Sequence, residues 1–170
     1  ISELSLPASM LTVIPDPVTP PNVSASKHTL RQSLSLPADT RILLFFGTTR
    51  KNKGPKILLK SLKYIDDGKI TLVFAGPPDD LTADDVDEFE NQISENISII
   101  NRIEFIPDED IYKYFKAADV ILLPYRRTYQ GTSGVLQRAI AAGRPVVGTN
   151  VGVIGSVIKE YDAGVVVPAE

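Results

Sequence analysis

Residues 41–54 read RILLFFGTTRKNKG, an apolar run that passes through a glycine into a basic turn. Arg41–Phe46 has the compact apolar composition of a buried β-strand. The turn after Gly47 carries Arg50 and Lys53 and leads into a helix-like pattern. Two cations between the end of a strand and the start of a helix favour binding of a phosphate anion. For this stretch alone, a solvated basic turn is an equally good explanation.

The composition indicates one globular domain and excludes several classes of protein. The chain has 170 residues, of which 43% are hydrophobic and 23% charged, which suffices for a packed core. A net charge of −3 argues against nucleic acid as a partner. The chain has no cysteine and one histidine, His28, so we predict no disulfide, no metal site and no cofactor. The lack of cysteine suits a reducing compartment, and we expect a cytoplasmic protein.

Three features of the sequence bear on the origin of the chain and on its contact with membranes. No apolar run approaches the roughly 20 residues that span a bilayer. Because residue 1 is Ile, we expect the chain to be a piece excised from a longer protein. Lys56, Lys60 and Lys63 share one face of a predicted helix, where they could contact the inner face of a membrane. Three lysines on a helix more commonly form a solvated surface.

The rest of the sequence alternates between apolar strand-like runs and amphipathic helix-like segments. Residues 1–38 are predicted to form an extended proline-rich segment with an edge strand at 11–14 and a short helix, and residues 39–170 the core. Nearly continuous apolar strands between helices predict an α/β fold. We expect a Rossmann-like, doubly wound parallel sheet of about six strands with helices on both faces. Strands are predicted at 41–46, 70–75, 103–106, 120–123, 145–149 and 164–167.

Two details of the helices follow from residue spacing. Val86, Phe89, Ile93 and Ile97 recur at helical spacing, which predicts a helix as far as residue 97. Asp108 precedes another apolar helical pattern and is predicted to cap it.

A second anion-suited loop follows the predicted fourth strand. Residues 125–134 read YRRTYQGTSG and lead into a helix. The backbone N–H groups of Ser133, Gly134 and Val135 could bind a phosphate, with the hydroxyls of Thr132 and Ser133 as further donors. The simpler alternative is an ordinary turn with a capping serine. Since ligands of this fold bind at the carboxyl ends of the strands, one diphosphate could bridge both loops.

Several motifs in order resemble a known family. They are Gly47-x-x-Arg50-x-x-Lys53-Gly54, VFAG at 73–76, FIPDED at 105–110, AADV at 117–120 and AIAAGRPVV at 139–147. From about residue 14 onward, the sequence resembles the C-terminal, nucleotide-sugar-binding domain of GT-B glycosyltransferases of the group 1 (family 4) type.

The resemblance implies retaining transfer of a sugar from a nucleotide-diphosphate sugar, without a metal. It also implies an N-terminal acceptor domain, which this chain does not include and without which we expect weak nucleotide binding and no turnover. By position, the diphosphate would be held by Gly47, Arg50, Lys53, Ser133, Gly134 and Val135. The base would meet Ile106, Pro107 and Asp108.

One departure from the family pattern leaves the function open. The family usually has two glutamates eight positions apart, where this chain has Gln130 and Arg138. Gln130 can still form hydrogen bonds to a sugar, but Arg138 has no acceptor for the hydroxyls of a ribose. A degenerate nucleotide-sugar-binding or regulatory module, or another GT-B enzyme such as a nucleotide-sugar 2-epimerase, therefore stands beside the transferase. A dehydrogenase is disfavoured because no G-x-G-x-x-G follows the first strand.

Overall fold

A computed structural model describes residue 10 and residues 17–19, 22–65, 68–90 and 92–170. The predicted edge strand at 11–14 lies outside these residues. The strands are β1 (Arg41–Phe46), β2 (Ile70–Ala75), β3 (Ile97–Arg102), β4 (Val120–Leu123), β5 (Val146–Thr149) and β6 (Gly164–Val167). The helices are α1 (Lys27–Ser33), α2 (Pro55–Ser61), α3 (Ala83–Glu90), α4 (Asp108–Ala117), α5 (Gly134–Ala141) and α6 (Ile154–Glu160), with 3₁₀ turns at Lys51–Lys53 and Leu62–Tyr64.

All six strands pair in parallel in the order β3-β2-β1-β4-β5-β6. This is the doubly wound order, so the predicted Rossmann-like fold is confirmed. The winding reverses between β1 and β4, which are neighbours in the sheet. The loops that leave these two strands therefore lie side by side at the carboxyl edge, where such folds bind ligands.

Apolar side chains cover both faces of the sheet. Phe46 packs with the buried residues of α1, α4, α5 and α6, whereas Phe45 packs with those of α2 and α3. Neighbouring residues of a strand point to opposite faces, which is why two consecutive phenylalanines serve two cores. Phe74 and Phe115 are fully buried, one in each core. Each such side chain contributes about 2 kcal/mol to folding.

The third strand differs from the prediction. Residues 103–106 form a loop, and β3 lies earlier, where it pairs with β2 along Ile70–Ala75. The predicted helix through Ile97 is also wrong, because α3 ends at Glu90. Ile97 and Ile99 are buried on either side of the exposed Ser98, which is the two-residue alternation of an edge strand. The loop after β3 thereby reaches the carboxyl edge of the sheet.

The start of α4 corrects a smaller prediction. Pro107 occupies the N-cap position and Asp108 is the first helical residue, with no capping hydrogen bond from its side chain. The carboxylates of Asp108, Glu109 and Asp110 all lie in the first turn. They stabilise the helix through its dipole rather than as caps.

A buried ion pair fastens α1 to the core. Arg31 is 5% exposed, donates to the Asp119 carboxylate at 2.6 Å and donates to the Ala117 carbonyl at 3.1 Å. Asp119 also accepts from the Ile42 N–H at 2.7 Å. Partial burial raises the pKa of Asp119, but hydrogen bonds from Lys27, Ile42 and Arg31 outweigh it and lower the pKa overall.

Candidate functional site

A cleft of about 350 Å³ opens at the carboxyl edge, beside the place where the winding reverses. The loop after β1, the loop after β2, the segment before α4 and the first turns of α5 all contribute to its walls. Seven predicted site residues line it: Gly47, Lys53, Ile106, Asp108, Gly134, Val135 and Arg138. The fold thus brings residues from distant parts of the chain into one cavity.

Two glycines allow the loops that build the cleft to touch. Gly54 has φ of +70°, and a Cβ there would lie 2.0 Å from the Pro124 carbonyl oxygen of the loop after β4. Gly76 has φ of +134°, and a Cβ there would lie 2.6 Å from the Gly47 carbonyl. Both positions require a residue without a side chain. They bring the loops after β1, β2 and β4 into direct backbone contact.

Thr49 locks two of these loops together and was missed in the sequence. Its buried hydroxyl donates to the Leu81 carbonyl at 2.8 Å and accepts from the Asp79 N–H at 2.8 Å. Its own N–H donates to the Pro77 carbonyl at 3.1 Å. Nothing in the local sequence distinguishes Thr49 from the neighbouring Thr48, since the partners lie about 30 residues away. These bonds hold the basic turn in a fixed position.

Lys53 supplies unneutralised positive charge to the cleft. Its Nζ lies 2.9 Å from the position that a Cβ on Gly47 would occupy, so the ammonium group lies directly over the turn after β1. Burial lowers the pKa of Lys53, and the positive charge of nearby Arg50 lowers it further. Within the described ranges, no carboxylate forms an ion pair with Lys53 or Arg50. A half-buried cation beside a second cation is relieved by binding an anion.

The amino end of α5 faces the same cleft. Ser133 is the N-cap: its hydroxyl accepts from the Leu136 N–H at 3.2 Å and is hydrogen-bonded to the Tyr125 hydroxyl at 3.0 Å. Burial raises the pKa of Tyr125 well above its usual range. The N–H groups of Gly134 and Val135 belong to the first helical turn and have no acceptor among the described residues. They remain available for a ligand oxygen.

Four predicted site residues do not line the cleft. Ser133 is 4% exposed and does not line the cleft, and its hydroxyl caps α5. Gln130 is exposed on the loop before α5, and Pro107 is exposed at the N-cap of α4. Arg50 is likewise exposed and outside the lining, although its charge acts on Lys53.

Part of the cleft lining is apolar. Phe46, Ile106 and Ile111 contribute there, together with Phe105, whose side chain is 76% exposed at the rim. Sequence reasoning missed Phe105 because it placed this residue inside a strand. The corrected position of β3 makes it a loop residue, which leaves its aromatic face free for stacking.

The described residues offer no other obvious chemistry. They contain no group of three histidine, cysteine or acidic side chains suited to a metal ion. No helix among them is both long and apolar enough to cross a bilayer. Of the three lysines considered for membrane contact, Lys56 pairs with Asp85 at 3.4 Å and Lys63 donates to Gln92 at 2.7 Å.

Comparison with known proteins identifies the family. Residues 40–170 match the family model described as glycosyl transferases group 1. The D-inositol 3-phosphate glycosyltransferase of Corynebacterium diphtheriae is 27% identical over 155 residues, which are 86% of this chain and 35% of that protein. The chain thus spans about a third of the length of the curated relatives it matches.

Solved structures agree with this match. Sucrose-phosphate synthase of Thermosynechococcus elongatus superposes with a TM-score of 0.63 at 27% identity, over 83% of this chain and 35% of that one. Anabaena HepE, solved in complex with UDP and glucose, gives a TM-score of 0.63 at 21% identity over 84% of this chain and 38% of its own. These likenesses confirm the predicted GT-B type of domain. From the family match over most of its length and from this fold, the chain belongs to the glycosyl transferases group 1 family.

Proposed function

We propose that this chain is the donor-binding half of a retaining glycosyltransferase that uses a nucleotide-diphosphate sugar. The observation that carries the proposal is the convergence of an unpaired, half-buried Lys53 with the free N–H groups of Gly134 and Val135 on one cleft. Both are donors suited to phosphate oxygens. The apolar lining residues Phe105 and Ile106 suit a nucleobase.

The same groups suit the chemistry of sugar transfer. As the bond between the sugar and the diphosphate breaks, negative charge develops on the departing phosphate. Fixed donors at that place stabilise the transition state more than the ground state. Lys53 and the amino end of α5 fill this role, with the charge of Arg50 as a nearby supplement.

The acceptor completes the proposal. We assign it to an N-terminal domain of the same protein, facing this cleft. The chain alone then holds the nucleotide sugar but supplies no acceptor, so we expect binding without turnover.

A calorimetric titration of the 170-residue chain tests donor binding. We expect UDP, GDP or ADP to bind with a Kd of roughly 10⁻⁵–10⁻³ M, or about −4 to −7 kcal/mol. UDP is the first ligand to try, since a protein of the same fold was solved with it. The matching nucleoside without phosphates should bind at least about tenfold more weakly. Equal binding of nucleoside and diphosphate would contradict the proposal.

A degenerate, non-catalytic module is the second candidate, favoured by two positions. Gln130 lies outside the cleft lining, and Arg138, which lines the cleft, is a guanidinium at the position where the family pattern has a glutamate. An assay of the whole protein, with and without Gln130→Ala, separates the candidates. Sugar transfer that falls in the variant supports the transferase, and no transfer with intact UDP binding supports the module. Release of a nucleotide-sugar isomer would instead indicate an epimerase.

A further inference from the structure

Arg138 brings a further cation to the cleft. It lies one turn after Gly134 on α5, and its Nη1 lies 3.3 Å from the position that a Cβ on Gly134 would occupy. The guanidinium therefore folds back along the helix toward its amino end. Arg138 lines the cleft together with Lys53 and Asp108, and it also borders a neighbouring groove with Tyr112 and Gln137. Arg138 therefore lies between the cleft and this groove.

The charges in the cleft are out of balance. Lys53 and Arg138 are its basic lining residues in the described part of the chain, Asp108 is its acidic one, and Arg50 lies close by. No ion pair or hydrogen bond involves the side chain of Arg138 there. The buried guanidinium of Arg31, by contrast, is paired with Asp119 and donates to the Ala117 carbonyl. In the proposed site the diphosphate is bound by Lys53 and the amino end of α5, which assigns no group of the ligand to the guanidinium of Arg138.

The chemistry of a guanidinium limits what Arg138 can recognise. It has only N–H donors, so it cannot accept a hydrogen bond from a hydroxyl. Its planar fork matches the two oxygens of a carboxylate or phosphate. A neutral ligand in this position would shield Arg138 from water without neutralising it, which is unfavourable.

We infer that the natural ligand of this cleft carries a third anionic group beyond its diphosphate, held by the guanidinium of Arg138. This inference rests on the proposed function. The group is a carboxylate on the transferred sugar or a phosphate ester on the ribose, and the two sources present the same oxygen pair to the arginine.

Two matched ligand pairs test the inference by calorimetry on the 170-residue chain. The first is UDP-glucose against UDP-glucuronate, which adds a carboxylate to the sugar. The second is ADP against adenosine 2′-phosphate 5′-diphosphate, which adds a phosphate to the ribose. We expect the added charge to increase affinity about tenfold or more in one of the pairs. The pair that responds identifies the source.

Variants then assign the preference to Arg138. Arg138→Gln should reduce the preference for the ligand with the added anionic group to within about twofold. Arg138→Lys should retain part of this preference, because lysine keeps the positive charge but lacks the planar guanidinium. Arg127→Gln is the matched control, since Arg127 is exposed and outside the cleft. Thermal unfolding of each variant verifies that it is folded.

Three outcomes would overturn the inference. One is equal affinity within both ligand pairs, and another is a preference that survives Arg138→Gln. The third is a failure of every nucleotide diphosphate to bind, which would overturn the proposed function as well. The first two outcomes leave diphosphate binding intact, so failure of this inference can be distinguished from failure of the proposed function.

Discussion

Replacement of Lys53 by methionine should make the ligand-free domain more stable and its ligand binding weaker. Methionine keeps most of the apolar stem and removes the charge. Burial and the neighbouring Arg50 lower the pKa of Lys53, so the charged form is disfavoured in the folded chain. The resulting cost in free energy of folding is fully present at pH values below the lowered pKa. It declines as pH rises through that pKa and vanishes above the ordinary value of 10.5. The gain in stability of Lys53→Met is therefore largest at neutral pH.

The loss of binding can be estimated from the contacts. Lys53 supplies one charge-assisted hydrogen bond to the phosphate in our proposal, worth about 2 kcal/mol. Its removal should weaken UDP binding about 30-fold. Because bound phosphate favours protonated Lys53, affinity in the native chain should be constant at neutral pH and fall as pH rises through the lowered pKa. Lys53→Met should show no such fall.

Thermal unfolding and calorimetry at several pH values measure both effects. Lys51→Met is the matched control, since Lys51 is exposed in the same turn and does not line the cleft. It should change UDP affinity by less than about threefold. A lower melting temperature of ligand-free Lys53→Met, together with an unchanged UDP affinity, would contradict this role of Lys53.

Three further changes have defined outcomes. Phe105→Ala removes the exposed ring that we propose stacks on the nucleobase. It should weaken UDP binding by about 1–2 kcal/mol in calorimetry and leave the free energy of unfolding unchanged. Gly54→Ala sets a methyl 2.0 Å from the Pro124 carbonyl at φ of +70°, so it should cost at least about 2 kcal/mol, or a drop of about 4–8 °C in melting temperature. Asp119→Asn leaves the buried Arg31 unpaired and should destabilise the chain by about 3 kcal/mol in urea unfolding at pH 7. Because the pKa of Asp119 is lowered in the folded chain, its negative charge stabilises the native chain at pH values above the ordinary pKa of 3.8. The difference in free energy of unfolding between native chain and variant should therefore shrink as pH falls below 3.8.

The centre of the sheet could be predicted well because its strands are buried on both faces. Runs such as RILLFF and ITLVFA are almost entirely apolar, and they predicted β1 and β2 with the bounds that the structure shows. The position of β3 was predicted wrongly for the opposite reason. It is an edge strand with the alternating pattern of Ile97, Ser98 and Ile99, and Ile97 also fits the helical spacing of the preceding segment.

The site was predictable in part. Gly47 and Lys53 stand in a recognisable turn, and Gly134 begins a helix after a loop of small residues, so local sequence indicated each half. The contribution of Thr49 depends on partners about 30 residues away, and Phe105 depended on the position of β3. The direction of Arg138 along its helix is a matter of side-chain packing, which residue spacing does not specify.

In the proposed site, one phosphate-binding cleft joins the loop after β1 to the start of α5. Amide NMR of the 170-residue chain during titration with UDP shows whether both parts respond to the same ligand. We expect the largest shift changes at Gly47, at Lys53 and Gly54, and at Gly134 and Val135, all saturating with one common Kd. Shifts confined to one of the two loops, or none in either at millimolar UDP, would contradict it.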